Sequence, residues 1–293
     1  MASMRDIKRR KGSIQSTQQI TKAMKLVSTV KLQKAKTKAE ESKPYFDTMY
    51  QTVQSILDRT GGITHPFLEG GSSPKKAVIV ITSNRGLAGG YNSNVIKLIT
   101  RGELSGEDLV IYSVGKKGRE ALERCGCHIA EDDSDAIEEP TYADAMRIGG
   151  KALEAFEKGE VGEIYLAYTV FKNTVVHVPV LTKLLPVDTQ TLSAAAGQET
   201  ASEKKGPEAP MNFEMDEVEA LELLIPKYIT SMVYGGLLEA SASENGARMQ
   251  AMDSATSNAE EMIEDLTLLY NRARQGSITQ ELTEIIAGAQ AIS

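Results

Sequence analysis

The stretch with the clearest potential for chemistry is the glycine-rich segment SNRGLAGGYN, residues 83–92. It follows a short apolar run and precedes a helical pattern, which is where a phosphate-binding loop stands in α/β proteins. The segment matches neither G-x-x-x-x-G-K-[ST] nor G-x-G-x-x-G, the two patterns whose backbone N–H groups cradle phosphates. We therefore favour a structural tight turn, with contact to a nucleotide as the alternative.

A second candidate is a group of polar side chains near the C-terminus, Arg272, Arg274 and Gln275, at a break in a heptad pattern. A guanidinium can pair with a carboxylate through two parallel hydrogen bonds, so these residues suit contact with a partner protein. The alternative is an ordinary solvated helix face. Met24 beside Lys25 suits ordinary packing in a helix seam.

Other kinds of site find little support in the sequence. The three histidines are scattered without metal-ligand spacing, and no pair of carboxylates shares a recognisable pocket. We predict no catalytic residue, no metal and no cofactor. The basic run over residues 5–11 could bind nucleic acid or acidic lipid, but no aromatic residues alternate with it and the chain carries an acidic partner segment. We therefore expect no nucleic acid as a partner.

The charges are divided between the two ends of the chain. The net charge is −7, yet residues 1–43 carry 12 Lys/Arg and 3 Asp/Glu, which gives +9. Residues 211–293 carry 4 Lys/Arg and 14 Asp/Glu, which gives −10. Opposite charges on two long helices favour an antiparallel pairing of the termini. Exposed ion pairs are each worth roughly 0–1 kcal/mol, so charge sets orientation while apolar burial must supply most of the stability.

Long helices are predicted at both ends. Residues 3–57 read as one helix, in which Pro44 could mark a kink or a short break. Its apolar stripe at helical spacing comprises Ile20, Ala23, Met24, Val27 and Val30. The C-terminal helix is predicted over residues 212–290 and carries a heptad seam. The seam comprises Met249, Met252, Thr256, Ala259, Ile263, Leu266, Tyr270 and Ala273, and after a slip it resumes at Ile278, Leu282, Ile285, Ala289 and Ile292.

Between the helices the hydrophobic period changes to that of an α/β domain. Short, continuous, β-branched runs such as residues 77–81 and 109–114 are typical of strands buried on both faces of a parallel sheet. Helices are predicted over residues 92–100, 116–125 and 141–158, and a hairpin over residues 163–185. The predicted organisation is an N-terminal coiled-coil helix (1–60), a Rossmann-like α/β domain (75–190), a linker (191–211) and a C-terminal coiled-coil helix (212–293).

The sequence also limits where the protein works. Cys125 and Cys127 are too close for a relaxed disulfide with each other, and two cysteines without a framework fit a reducing compartment. No apolar run approaches the ~20 residues that a membrane span needs. The N-terminus lacks the apolar core of a signal peptide. We expect a cytoplasmic protein or one that is peripheral to a membrane.

Three segments resemble the γ-subunit family of F-type ATP synthases. They are IKRRKGSIQSTQQITKAMKLVSTVKLQKA near the N-terminus, SNRGLAGGYN in the middle, and ENGARMQAMDSATSNAEEMIEDLTLLYNRARQGSITQELTEIIAGAQAI at the C-terminus. In the middle segment the family usually has Asp where this chain has Asn84, and often Cys where it has Ala88. Cys125 and Cys127 do not match the cysteine pair of the redox-regulated chloroplast form, so redox control is not implied.

The resemblance implies a non-catalytic rotor shaft. Its coiled coil would stand in a ring of three α and three β subunits, and its α/β domain would rest on the membrane c-ring beside the ε subunit. It would lie at the cytoplasmic face of the bacterial cell membrane, peripheral and without a span of its own. The implied α/β-ring contacts are Met24, Lys25, Arg272, Arg274, Gln275, Thr279 and Glu281. The implied structural-turn residues are Arg85, Gly86, Gly89 and Gly90.

A second class of function stays open from the sequence alone. A free coiled-coil protein, acting as a structural spacer or as a nucleic-acid-binding arm, could show the same heptads and opposed charges. The sequence does not distinguish H⁺ from Na⁺ as a coupling ion, since the residues that select the ion would lie on another subunit.

Overall fold

The fold was analysed in a computed structural model, which describes residues 4–59, 65–104, 106, 108–187 and 217–292. Two long helices flank an α/β region in the chain, namely α1 (Met4–Arg59) and α6 (Glu217–Ile292). The helices between them are α2 (Pro66–Glu69), α3 (Tyr91–Arg101), α4 (Lys116–Arg124) and α5 (Tyr142–Glu157), with a 3₁₀ turn at Ser134–Ile137. The strands are β1 (Lys76–Ile81), β2 (Leu109–Val114), β3 (His128–Asp132), β4 (Glu163–Phe171) and β5 (His177–Leu185).

The five strands form one sheet in the order β3-β2-β1-β4-β5. Strands β1 to β4 run parallel, and β5 is antiparallel to β4, so the predicted hairpin is confirmed. The chain builds outward from β1 through β2 to β3 and then returns to the other side of β1 with β4. This order and the two long helices confirm the predicted fold class, an α/β domain inserted between long helices.

Both faces of the sheet are covered, because the central strands are apolar on both sides. On one face, residues such as Val78 and Val80 pack against Val95 of α3 and Leu122 of α4. On the other face, Ile79 and Ile81 pack in a larger core with parts of α5, α1 and α6. Such two-sided burial explains why the strands read as continuous apolar runs rather than as alternating ones.

Local sequence signals account for several element boundaries. Thr141 and Asp144 form a capping box at the start of α5, in which the Thr141 side chain accepts from the Asp144 N–H. Helix α1 continues past Pro44, so the possible short break at that residue is absent. Between α1 and β1, Pro66–Glu69 form a short helix capped by His65. The predicted starts of the long helices, at residues 3 and 212, and the predicted 191–211 linker lie outside the described residues.

The chain divides into two compact units. We call Met1–Thr29 with Arg248–Ser293 the coiled-coil unit, and Val30–Ala247 the α/β unit. The boundaries of the four segments predicted from the sequence remain predictions, because the two compact units do not correspond to those segments. It cuts both long helices.

Within the coiled-coil unit the two helices are antiparallel. Moving along α1, Gln18 contacts Glu260, Thr21 contacts Thr256 and Lys25 contacts Asp253, so positions rise on one helix as they fall on the other. Met252, Thr256 and Ala259 of the predicted α6 seam are buried. From Ile278 to Gln290 every α6 residue is exposed, so the resumed heptads do not form a buried seam in this chain.

The seam residues of α1 differ from those that the sequence suggested. Ile20, Ala23 and Val27, of the predicted apolar stripe, are exposed. The side of α1 that faces α6 carries instead a row of residues seven positions apart. In this row Ile7, Thr21 and Ser28 are buried and Ile14 is half-buried. The row was missed because two of its members carry hydroxyl groups, whereas the more apolar stripe faces solvent.

Candidate functional site

The coiled-coil unit presents an unusual amount of apolar side chain to solvent. On α1, Ile20, Leu26 and Val27 are 60%, 63% and 57% exposed. On α6 the exposed large apolar residues are Met262, Leu268, Leu269, Ile278, Leu282, Ile285 and Ile286. Exposed apolar side chains in this number on two paired helices favour contact with partner proteins. We call these residues the exposed apolar face.

The predicted contact residues lie in the same unit but in two separate groups. Met24 and Lys25 are half-buried on α1, and the Lys25 ammonium lies 2.6 Å from the Asp253 carboxylate. Arg272, Arg274 and Gln275 are exposed on α6. Asp253 precedes Arg272 by nineteen positions on one helix, so the two groups are roughly 28 Å apart along the axis at 1.5 Å per residue. The structure therefore does not bring them together.

The remaining predicted contact residues continue the second group. Thr279 and Glu281 are exposed, one turn beyond Gln275. The Thr279 hydroxyl donates to the Gln275 carbonyl at 2.9 Å, and the Glu281 carboxylate lies 3.4 Å from the Ser277 hydroxyl. These bonds stay within one helix, so the outer side of the group is available to a partner protein. Two arginines at this point offer paired hydrogen bonds to carboxylates.

The glycine-rich turn belongs to the α/β unit and follows β1. Its Ser83 hydroxyl lies 2.6 Å from the Arg85 carbonyl, and the Ser83 N–H donates to the Asn92 side chain at 2.9 Å. Leu87 and Gly89 take positive φ values of 64° and 56°. Glycine adopts such a conformation without cost, which accounts for Gly89, whereas Leu87 holds it with its side chain exposed.

The turn is also tied to the elements around it. The Asn84 side chain donates to the Ser134 carbonyl at 2.8 Å and accepts from the Lys116 N–H at 3.1 Å. Tyr91 is buried, and its hydroxyl donates to the Ala240 carbonyl of α6 at 3.2 Å. Arg85 pairs with Glu138 at 3.7 Å across exposed surface. These bonds hold the side chains of the turn against neighbouring elements, which favours the structural interpretation of the turn over a nucleotide site.

One ionisable group in the α/β unit was not singled out by sequence reasoning. Glu239 of α6 is largely buried, and its Oε2 atom has no hydrogen-bond partner among the described residues. Burial raises the pKa of its carboxyl to about 7, although a hydrogen bond from the Phe171 backbone opposes the shift. Nearby, burial and the Glu239 charge raise the pKa of Tyr168. A lone glutamate in an apolar helix segment offered no sequence signal of this environment.

Solved structures with the same fold come from ATP synthases. The chain is similar to one in the Euglena gracilis mitochondrial enzyme (OSCP/F1/c-ring, rotational state 3), with a TM-score of 0.69, 19% identity, and coverage of 99% of this chain and 94% of that one. It is also similar to a chain in the central stalk/c-ring structure of the Tetrahymena thermophila enzyme, with a TM-score of 0.58, 23% identity, and coverage of 80% and 99%. At these identities the likeness shows the fold alone.

Sequence comparison decides the family. A family model described as ATP synthase matches residues 3–292. The ATP synthase gamma chain of Lachnoclostridium phytofermentans is 65% identical over 294 residues, covering all of both chains. The chain belongs to the family of ATP synthase γ chains. Another member, the sodium ion specific gamma chain of Acetobacterium woodii, is 40% identical over 299 residues and 99% of each chain.

Membership in the γ-chain family agrees with the resemblance stated from the three sequence segments. It gives no support to a free coiled-coil spacer or a nucleic-acid-binding arm. Among the described residues, no helix has the length and apolarity that crossing a membrane requires.

Proposed function

We propose that this chain is the central rotor shaft of an F-type ATP synthase. Its coiled coil stands in the cavity of a ring of three α and three β subunits, and its α/β domain rests on the membrane c-ring beside the ε subunit. Ion flow turns the c-ring, the shaft turns with it, and the β-subunit sites pass through their catalytic states in sequence. The chain is non-catalytic and peripheral, at the cytoplasmic face of the bacterial membrane.

The observation that carries this proposal is the exposed apolar face of the coiled-coil unit. Ile20 and Val27 of α1 and Ile285 of α6 are each more than half exposed, although burial of one such side chain is worth roughly 1.5–3 kcal/mol. A protein ring around the helices would remove these residues from water. Membership in the ATP synthase γ-chain family supports an ATP synthase as the complex that provides the ring, and we propose its α and β subunits as the members of that ring.

An asymmetric helix pair can drive a cycle in the subunits around it. A bound element shifts a conformational equilibrium only through its different affinity for the two states. The shaft presents a different side to each β subunit, so each subunit experiences a different bias. Rotation then changes which β subunit is favoured, without any chemistry on the shaft itself.

Arg274 and Gln275 are proposed as a catch that holds one β subunit at a time. Both are exposed in the C-terminal part of α6. A charge-assisted hydrogen bond is worth roughly 1.5–3 kcal/mol, enough to distinguish the subunits yet weak enough to break on rotation. The full proposed set of ring contacts is Met24, Lys25, Arg272, Arg274, Gln275, Thr279 and Glu281. The turn residues Arg85, Gly86, Gly89 and Gly90 are proposed to act structurally.

The catch is tested in a reconstituted α₃β₃γ complex that carries Arg274→Ala with Gln275→Ala. We expect the complex to assemble and its ATP turnover to fall about tenfold or more, since a charge-assisted bond of roughly 1.5–3 kcal/mol corresponds to at least that factor. Helix content of the free chain should not change, because these are exposed positions with little difference in helix propensity.

The matched control is Lys97→Ala with Arg101→Ala, two exposed cations on α3 of the α/β unit. This variant should keep native turnover, since the proposed ring contacts lie in the coiled-coil unit. Native turnover in the assembled Arg274/Gln275 variant would contradict the catch and would show that these residues belong to an ordinary solvated helix face.

A further inference from the structure

Three polar contacts cross between α1 and α6 at consecutive turns of the coiled-coil unit. The Gln18 amide donates to the Glu260 carboxylate at 3.0 Å, and the Lys25 ammonium donates to the Asp253 carboxylate at 2.6 Å. Between them, the hydroxyl oxygens of Thr21 and Thr256 are 2.8 Å apart. The central pair is buried, whereas both flanking pairs are exposed to solvent.

The two threonine hydroxyls satisfy each other and the backbone. Thr21 also lies 3.0 Å from the Gln18 carbonyl, and Thr256 lies 2.7 Å from the Met252 carbonyl. Each hydroxyl carries one proton, so one threonine donates to the other and the second donates to a carbonyl of its own helix. Both protons are therefore used, and neither oxygen is buried without a partner.

This arrangement depends on the axial register of the helices. A slip by one heptad would keep the general apolar pattern of α6 against α1, because apolar residues recur every seven positions. It would place Thr21 opposite Met249 or Ile263, which carry no oxygen in their side chains. The threonine hydroxyls would then lose their mutual hydrogen bond. In either slip one flanking side chain, Gln18 or Lys25, would still face a carboxylate, Asp253 or Glu260, and the other would lose its partner.

We propose that Thr21 and Thr256, together with the Gln18–Glu260 and Lys25–Asp253 pairs, form a register clasp that fixes the axial position of α1 against α6. A polar residue at one seam position sets register in coiled coils at some cost in stability. A slip of one heptad would displace the surfaces of the two helices by roughly 10 Å at 1.5 Å per residue. The clasp is a property of the chain itself and does not depend on the proposed function.

The test measures register directly in the full-length chain. Cys125 and Cys127 are replaced by serine, and single spin labels are placed at Gln15→Cys and Gln280→Cys, two exposed positions on opposite helices. The labels lie at different levels along the axis, so a one-heptad slip changes their distance by close to the full 10 Å displacement of seven residues. The native seam should give one distance by double electron–electron resonance.

The decisive variant carries Thr21→Val with Thr256→Val, which keeps side-chain shape and removes both hydroxyls. We expect a second distance, displaced by about 10 Å, in roughly a tenth or more of the molecules, since a hydrogen bond changes an equilibrium by a factor of about five to ten. The Thr21→Ser with Thr256→Ser variant keeps both hydroxyls and should retain the single native distance.

The matched control is Thr17→Val with Thr29→Val, two exposed threonines whose hydroxyls bond carbonyls of α1. It should leave the single distance unchanged. If the double valine variant loses helix content by circular dichroism, Thr21→Val alone decides by the same measurement, because it removes one hydroxyl of the pair. If a folded valine variant shows only the native distance, the clasp is overturned. The apolar residues of the seam would then set the register by themselves.

Discussion

The α/β unit and the coiled-coil unit handle their apolar residues in opposite ways. In the α/β unit, Ile79, Ile81 and Leu166 are fully buried in a sheet covered on both faces. In the coiled-coil unit, Leu26 is 63% and Ile285 67% exposed, although the helices carry a buried seam. The first unit contains its own core, whereas the second leaves surface that water does not favour. The difference favours the coiled-coil unit as the place where the proposed partner subunits bind.

The largest expected difference in the free energy of unfolding is between isoleucine-to-alanine variants in the two units. Ile81→Ala removes atoms that lie beneath α6 near Gly236, and a buried cavity of this kind costs about 2–5 kcal/mol. Ile285→Ala should change the free energy of unfolding of the isolated chain by less than about 0.5 kcal/mol, as exposed substitutions do. Urea unfolding followed by circular dichroism measures both. Equal losses of unfolding free energy in the two variants would contradict the contrast between the two units.

The second prediction concerns proton binding inside the α/β unit. Because burial raises the pKa of Glu239 from 4.5 to about 7, the folded unit binds a proton that the unfolded chain releases. The stabilisation is complete below pH 4.5 and is lost as the pH rises to about 7. At about 1.4 kcal/mol per unit, this group should lower the free energy of unfolding by about 3 kcal/mol between pH 4.5 and 8.

Glu239→Gln should remove this part of the pH dependence, because an amide does not titrate in that range. The matched control is Glu219→Gln, an exposed glutamate on the same helix, which should leave the pH profile as it is. Parallel profiles for the native chain and the Glu239→Gln variant would show that water reaches this carboxylate and keeps it ionised.

A smaller effect is expected at the glycine-rich turn. Asn84→Ala removes a donor to the Ser134 carbonyl and an acceptor for the Lys116 N–H, and should cost about 1–2 kcal/mol of unfolding free energy. Asn94→Ala, on the exposed side of α3, should cost little. An Asn84→Ala variant as stable as the native chain would show that backbone contacts hold the turn and that the two Asn84 side-chain bonds do not stabilise it.

Much of the fold could be predicted from the sequence because its signals are local and strong. The apolar runs at residues 77–81 and 109–114 coincide with β1 and β2, and Thr141 with Asp144 marks the start of α5. Strand β3 could not be predicted in the same way. Its sequence, HIAED, is polar and lies at a sheet edge, where few side chains are buried.

The seam of α1 shows why pattern reading has a physical limit. An apolar stripe predicts burial only if the partner that buries it is the chain itself. In α1 the stripe containing Ile20 and Val27 faces solvent, and the helix uses Thr21 and Ser28 against α6. The exposure of Ile20 and Val27 is the reason that the seam was predicted wrongly. The same exposure supports the proposed ring around the helices. The roles proposed for Arg274 and Gln275 depend on the proposed ring, which a single chain does not contain.

The rotor function is tested most directly by watching the chain turn. Cys125 is exposed in the α/β unit, and Cys127→Ser leaves it as a single thiol for a bead or fluorophore. The α₃β₃γ complex is fixed to a surface through its α or β subunits and supplied with ATP. We predict rotation of the probe in one direction, which stops when ATP is removed. A probe that stays fixed while the complex hydrolyses ATP at its normal rate would contradict the proposed shaft.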